Sequence, residues 1–138
     1  MASDIRISTG SSVPIYRQIV DHVCAAVARG QAQEGEALPS VRALAEQLVI
    51  NPNTVAKAYA ELARQGVIEA RQGKGVFIAK RRQIYSRAER IRRLEAAADA
   101  LVHEGAFLDF QPDEMRQVLD KKLSDFQAAR QENRKGRT

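Results

Sequence analysis

A chain of 138 residues is one ordinary domain or a small domain with an appendage, long enough for a compact core and too short for a large catalytic architecture. Its 22 Lys and Arg against 17 Asp and Glu leave a formal charge of +5, which points modestly to a polyanionic partner, and its single cysteine excludes an intramolecular disulfide or a zinc cluster built from thiolates. The N-terminus lacks the apolar core of a signal peptide, and no run approaches the roughly 20 apolar residues that span a bilayer, so the expected location is a reducing cytoplasm, without a membrane partner.

Residues 1 to 12 are polar except Ile5 and Ile7, which alternate with Arg6 and suit a short edge strand or an arm. From Pro14 to Arg29, Ile15, Ile19, Val20, Val23 and Val27 form a helical stripe, the inner face of a supporting first helix. Cys24 lies at the edge of that stripe, where a lone cysteine is far more often a small packing residue than a redox sensor, and His22 is expected to be exposed and inert. Gly30 stops the helix, and QAQEGEA is a turn-rich connector to Leu38 and Pro39.

The next forty residues carry the densest signals. Ser40 is placed to cap a helix in which Val41, Leu44, Ala45 and Leu48 fall at i, i+3, i+4 and i+7. Asn51 caps a second helix with Pro52 at its first position, where the missing N–H is one the helix would leave unpaired anyway. The turn between them is about three residues, the length of a helix-turn-helix. In the second helix Val55, Ala58, Tyr59 and Leu62 share the inner face, while Asn53 and Lys57 point away. Gly66 ends it, and the β-rich runs Val67 to Arg71 and Val76 to Ala79 flank Gln72, Gly73, Lys74 and Gly75, which reads as a two-stranded wing.

After the wing, residues 80 to 93 hold seven Lys or Arg against one Glu, either a second contact to a polyanion or the solvated faces of a helix. Ile84, Ala88, Ile91, Leu94, Ala98 and Leu101 recur at steps of three and four, the seam of an amphipathic helix that the wing should enter directly and that Gly105 should end. Phe107, Leu108 and Phe110 form a connector. Pro112, Asp113 and Glu114 open another helix with an apolar face of Met115, Val118, Leu119, Leu123 and Phe126, and the final QENRKGRT reads as a frayed tail. Two one-sided helices offer little core alone, so pairing with a second copy is the economical way to bury both seams.

The patterns LPSVRALAEQL and NPNTVAKAYAEL, followed by the QGKG wing, resemble the GntR family of bacterial transcription regulators from about Val13 to Ala79. PIYRQI at residues 14 to 19 and the short region after the wing resemble its YtrA-like subfamily. The resemblance implies a mainly α fold with a small β wing: a winged helix-turn-helix DNA-binding domain over residues 1–79, and a C-terminal helical dimerisation region over 80–138 that uses Ile84, Ile91, Leu94, Leu101, Met115, Leu119, Leu123 and Phe126. It also implies a homodimeric repressor on an inverted-repeat operator in double-stranded DNA.

Within that reading Ser40 and its helix N-terminus would contact phosphate, and Arg42 phosphate or a guanine edge. Asn51, Asn53, Thr54 and Lys57 occupy the start of the recognition helix, and Gln72, Gly73, Lys74 and Gly75 would follow the adjacent minor groove or backbone. Tyr59 is expected in the core and Ser40 has a purely structural reading as a cap. No nucleophile elbow, HExxH, Walker loop or supported carboxylate pair is present, and His22 and His103 lack ligand spacing, so neither an enzyme nor a cofactor is expected. A winged-helix adaptor that binds protein rather than DNA is the alternative, and the polar, basic outer face of residues 53 to 57 weighs against it. The C-terminal helices have too few convergent polar groups for an enclosed effector pocket, so any small-molecule inducer would sit at the dimer interface or between the two domains.

Overall fold

The computed structural model describes residues 4–81 and 83–136. Three helices form its centre: α1 (Ile15–Ala28), α2 (Val41–Leu48) and α3 (Pro52–Arg64). Each contributes an apolar stripe, with Ile19, Val20, Val23 and Ala26 from α1, Leu44 and Ala45 from α2, and Val55, Ala58, Tyr59 and Leu62 from α3. Among the described residues the core contains no buried charged side chain. Burying each large aliphatic side chain in this set contributes on the order of 2 kcal/mol.

The N-terminal residues resolve the choice between strand and arm. Ile5 is buried in the core and Ile7 packs against it, yet neither lies in a sheet; the segment is an arm, and Met1–Ser3 lie outside the described residues. Gln18 of α1 holds the arm from both sides: its Oε1 accepts from the Ser8 N–H at 2.8 Å, and its Nε2 donates to the carbonyls of Ser8 and Val13 at 3.0 and 2.9 Å. His22 is half-buried rather than exposed, and that burial depresses its pKa.

The sheet has three strands, β1 (Ala37–Leu38), β2 (Ile68–Arg71) and β3 (Gly75–Ile78), in the order β1-β3-β2 and antiparallel throughout. The hairpin register sets Ile68 opposite Ile78 and Arg71 opposite Gly75. Strand β1 corrects the reading of QAQEGEA as connector throughout, since its last residue, Ala37, pairs with β3 together with Leu38. Two residues carry no periodicity, and what makes them a strand is the free edge of β3, where Leu38 faces Val76 and the Ile78 N–H donates to Glu36 O at 2.9 Å.

Beyond the sheet the helices differ from expectation in four places. The described residues between β3 and α4 form a connector, so the wing does not run directly into the next helix and Ile84 precedes it; Arg82 of the basic run lies outside the described residues. Helix α4 (Arg87–Phe107) starts at Ser86, whose Oγ accepts from Glu89 N at 3.1 Å. It continues through Gly105 instead of ending there, because Gly105 is where Met115 of the next helix crosses: a Cβ at 105 would lie 2.8 Å from the Met115 side chain. The connector takes its left-handed residue from Asp109, at φ 63°. Helix α5 (Pro112–Lys135) begins with the Glu114 carboxylate accepting from the Gln111 N–H, and it carries most of the expected tail as ordered helix; Arg137 and Thr138 lie outside the described residues. It doubles back to the winged unit, where Asn133 Nδ2 donates to Arg29 O at 2.7 Å.

The turn between α2 and α3 is strained. Val49, its left-handed residue at φ 56°, is β-branched and 88% exposed, a conformation that crowds its Cβ without any compensating burial. Val49→Gly is expected to stabilise the chain by about 0.5 to 1 kcal/mol, relief of strain exceeding the added chain entropy of glycine. Thermal unfolding measures it as a rise in Tm of a few degrees; an unchanged or lower Tm would show that the turn bears no strain.

Candidate nucleic-acid interface

Two helix N-termini are presented to solvent, each closed by the residue its sequence position suggests. Ser40 Oγ accepts from the Ala43 N–H at 3.0 Å, and Asn51 Oδ1 accepts from the Asn53 N–H at 2.8 Å. The Ser40 cap pairs one of the amides that the start of α2 leaves open and leaves those of Val41 and Arg42 for an anion, whereas at α3 Pro52 has no N–H and the Thr54 N–H donates to Asn51 O at 3.0 Å. The two helices are tied together through Tyr59. Its side chain is buried under α3, and its hydroxyl donates to the Pro39 carbonyl at 2.7 Å, holding the residue next to Ser40 against the recognition helix. Burial pushes the Tyr59 phenol up to about 12. Near the other end of α3 the Glu61 carboxylate accepts from Arg64 Nη2 at 2.6 Å and Gln65 Nε2 at 2.8 Å, and those bonds hold its pKa down at about 2. Gln65 in turn receives the weak Cys24 Sγ–H contact at 3.8 Å, and burial raises the pKa of that thiol, consistent with a packing role.

The outward side chains are distributed unevenly. Arg42 of α2 has an 89% exposed side chain and an ion pair to Glu46 at 3.4 Å. A pair this exposed contributes only about 0 to 1 kcal/mol and yields readily to a phosphate or base. A shallow recess brings Arg42 together with Asn51 and Pro52. Asn53 and Lys57 are exposed on α3, and Thr54 is half-buried. Lys57 does not extend freely: its Nζ lies 4.1 Å from the centroid of the Tyr16 ring on α1. Tyr16 is therefore a neighbour of the interface that the sequence reading missed, since only the packing of α1 against α3 brings the two residues together.

The wing residues Gln72, Gly73, Lys74 and Gly75 form a separate exposed turn, with the Lys74 N–H donating to Arg71 O at 2.9 Å. Gly73 and Gly75 have φ of 74° and 115°, and the space beside each is open, so here glycine answers a backbone conformation and not a steric limit. Arg71 pairs with Glu69 at 2.9 Å and stacks 4.5 Å over Phe77, which leaves Lys74 as the uncommitted cation of the turn among the described residues. Among the described residues no cluster of three or more His, Cys, Asp or Glu that could hold a metal occurs, and among them no helix is long and apolar enough to cross a membrane.

Comparison with known proteins places this arrangement. Residues 15–78 match the family described as bacterial regulatory proteins, gntR family. The HTH-type transcriptional repressor YtrA of Bacillus subtilis is 46% identical over 76 residues, which is 55% of this chain and 58% of that repressor, so the chain spans less than two thirds of its length. A crystal structure described as a transcriptional antiterminator from Listeria monocytogenes superposes with a TM-score of 0.79 and 34% identity, covering 91% of this chain and 94% of that one. The structure of YtrA from Sulfolobus acidocaldarius, described as a GntR-family transcription factor, gives a TM-score of 0.57 and 32% identity over 70% of this chain and 97% of that one.

The Tyr59 tether has a pH signature. The folded chain keeps its phenolic proton to about pH 12 and an unfolded one to about pH 10, so between those values unfolding releases a proton and stability falls as the pH climbs. Tyr59→Phe is expected to flatten that alkaline slope and to destabilise the chain by about 1 kcal/mol at neutral pH, since the Pro39 carbonyl loses its partner. Denaturant unfolding at pH 7 and across pH 9 to 12 checks both; an unchanged slope would mean Tyr59 does not carry it.

Proposed function

The chain belongs to the GntR family of bacterial regulatory proteins, and on that basis we propose that it is a sequence-specific DNA-binding transcription regulator, a repressor that acts as a homodimer on an inverted-repeat operator. In this reading α3 enters the major groove with Asn53, Thr54 and Lys57 leading from the Asn51 cap, and the open amides beside Ser40 meet a phosphate. Arg42 supplies the guanidinium able to grip guanine O6 and N7, and the wing with Lys74 follows the adjacent minor groove or backbone. The observation that carries the reading is the exposed polar set at two capped helix N-termini, held together by Tyr59 and free of acidic residues along the outer face of residues 53 to 57. The name of the Bacillus relative favours repression over activation.

Dimerisation rests on a different feature. Along α4 and α5 the apolar side chains of Ile91, Leu94, Leu101, Val118, Leu119 and Leu123 remain exposed, Leu94 at 72%, and so does Ile84 ahead of α4. Met115 and Phe126 are half-buried within the chain, Met115 over Gly105. Apolar surface of this extent favours burial in a two-fold interface, and a symmetric pair of recognition helices matches a symmetric operator.

Light scattering at micromolar concentration is expected to give a dimer, with Leu94→Asp combined with Leu101→Asp giving monomers that bind operator far more weakly; a wild-type monomer would remove the dimer from the account. Gel shifts separate the two jobs of the DNA surface. Arg42→Ala is expected to weaken operator binding by about 1 to 3 kcal/mol and random DNA much less. Lys74→Ala should weaken both alike and lower the salt slope by about one ion. Unchanged binding by both variants would leave the adaptor reading standing instead.

A further inference from the structure

A cleft of about 240 Å³ opens where the end of α1, the end of β3 and the last turns of α5 meet. Arg29 lines it from the end of α1, Arg81 from just beyond β3, and Arg130 and Arg134 from successive turns of α5. Arg130 has its guanidinium 5.6 Å from the Phe126 ring centroid. None of the four makes an ion pair among the described residues. The lone carboxylate in the lining is Glu34. The walls belong to separate parts of the chain, and the bond from Asn133 Nδ2 to Arg29 O, 2.7 Å long, fixes one against the other.

Arginines near helix C-termini ordinarily answer the negative end of the helix dipole. Two helices, α1 and α5, end here, each worth roughly half a negative charge, and together with Glu34 they offset about half of the four guanidiniums. About two positive charges remain, and Arg81 lies on no helix. The fork of an arginine matches phosphate or carboxylate oxygens in pairs. The recess is smaller than the roughly 300 to 1,000 Å³ of sites for drug-sized ligands, which suits a compact ion. It is also concave, whereas a duplex backbone is a convex rod that protruding side chains reach more readily.

We propose that this cleft binds a small multivalent anion with phosphate or carboxylate oxygens, which bridges the winged unit and α5. The effect on regulation rests on the DNA-binding and dimer reading above: a ligand that fixes the winged unit against α5 also fixes the spacing of the two recognition helices in a dimer.

The test is calorimetric titration of the full chain, without DNA, using inorganic pyrophosphate in one arm and citrate in the other, at ionic strength matched with sodium chloride. Saturable binding in one or both arms is expected, and the arm that responds names the oxygen chemistry. Arg81→Gln combined with Arg134→Gln should weaken it at least tenfold while leaving the unliganded Tm within a degree or two of wild type; if the pair lowers that Tm, Arg81→Gln alone carries the comparison. No binding in either arm, or equal binding by the variant, overturns the proposal. A loss of random-DNA affinity in the variant as large as that of Lys74→Ala would assign these arginines to the DNA backbone, overturning the anion site while leaving the DNA-binding reading intact.

Discussion

The division of α3 into an apolar half and a polar half is the constraint on which the rest depends. At 100° per residue, Val55, Ala58, Tyr59 and Leu62 fall on one side and must leave water, which they do against α1 and α2. Once that face is fixed, Asn53 and Lys57 have only the solvent side to occupy. The core therefore aims the candidate DNA contacts without touching them. Tyr59 joins the two roles, with its ring in the core and its hydroxyl on the Pro39 carbonyl beside the start of α2.

Around this frame the interface is prepared with weak restraints. Arg42 is held by an exposed pair to Glu46, and Lys57 rests on Tyr16, so both charges have positions in the free protein that a polyanion can displace at small cost. The firmer restraints lie elsewhere: the caps, the Tyr59 hydroxyl on the Pro39 carbonyl and the Gln18 bonds to the arm. The strain at Val49 sits in the short turn that sets the angle between α2 and α3. A well-bonded base carrying weakly held charges suits contacts to phosphates, which ask less of side-chain geometry than base edges do.

What the sequence revealed and what it hid follow from the range of the forces involved. Ser40, Asn51 and Pro52 act on amides within three residues of themselves, so they could be read directly, as could the apolar periods of α1 to α3. Strand β1 was hidden because Ala37 and Leu38 become a strand only through β3, some forty residues away. Gly105 misled for the same reason: glycine commonly ends helices, but here its missing side chain admits Met115 from α5, a packing demand invisible to local propensity. The last turns of α5 are held partly by the contact of Asn133 with Arg29, which no local signal announces. In the candidate interface the outward positions of Arg42, Asn53 and Lys57 were legible as exposed, while Tyr16 beneath Lys57 and the arginine cleft at the base of the wing depend on which elements meet in space.

The central claim is that a two-fold pair of these winged units reads DNA sequence. Selection from a pool of random duplexes, with the bound fraction recovered and sequenced over several rounds at moderate salt, tests it most directly. The account predicts enrichment of a two-fold symmetric inverted repeat whose half-sites both contribute. Recovery of unpaired half-sites, or of a pool no different from the input, would contradict it.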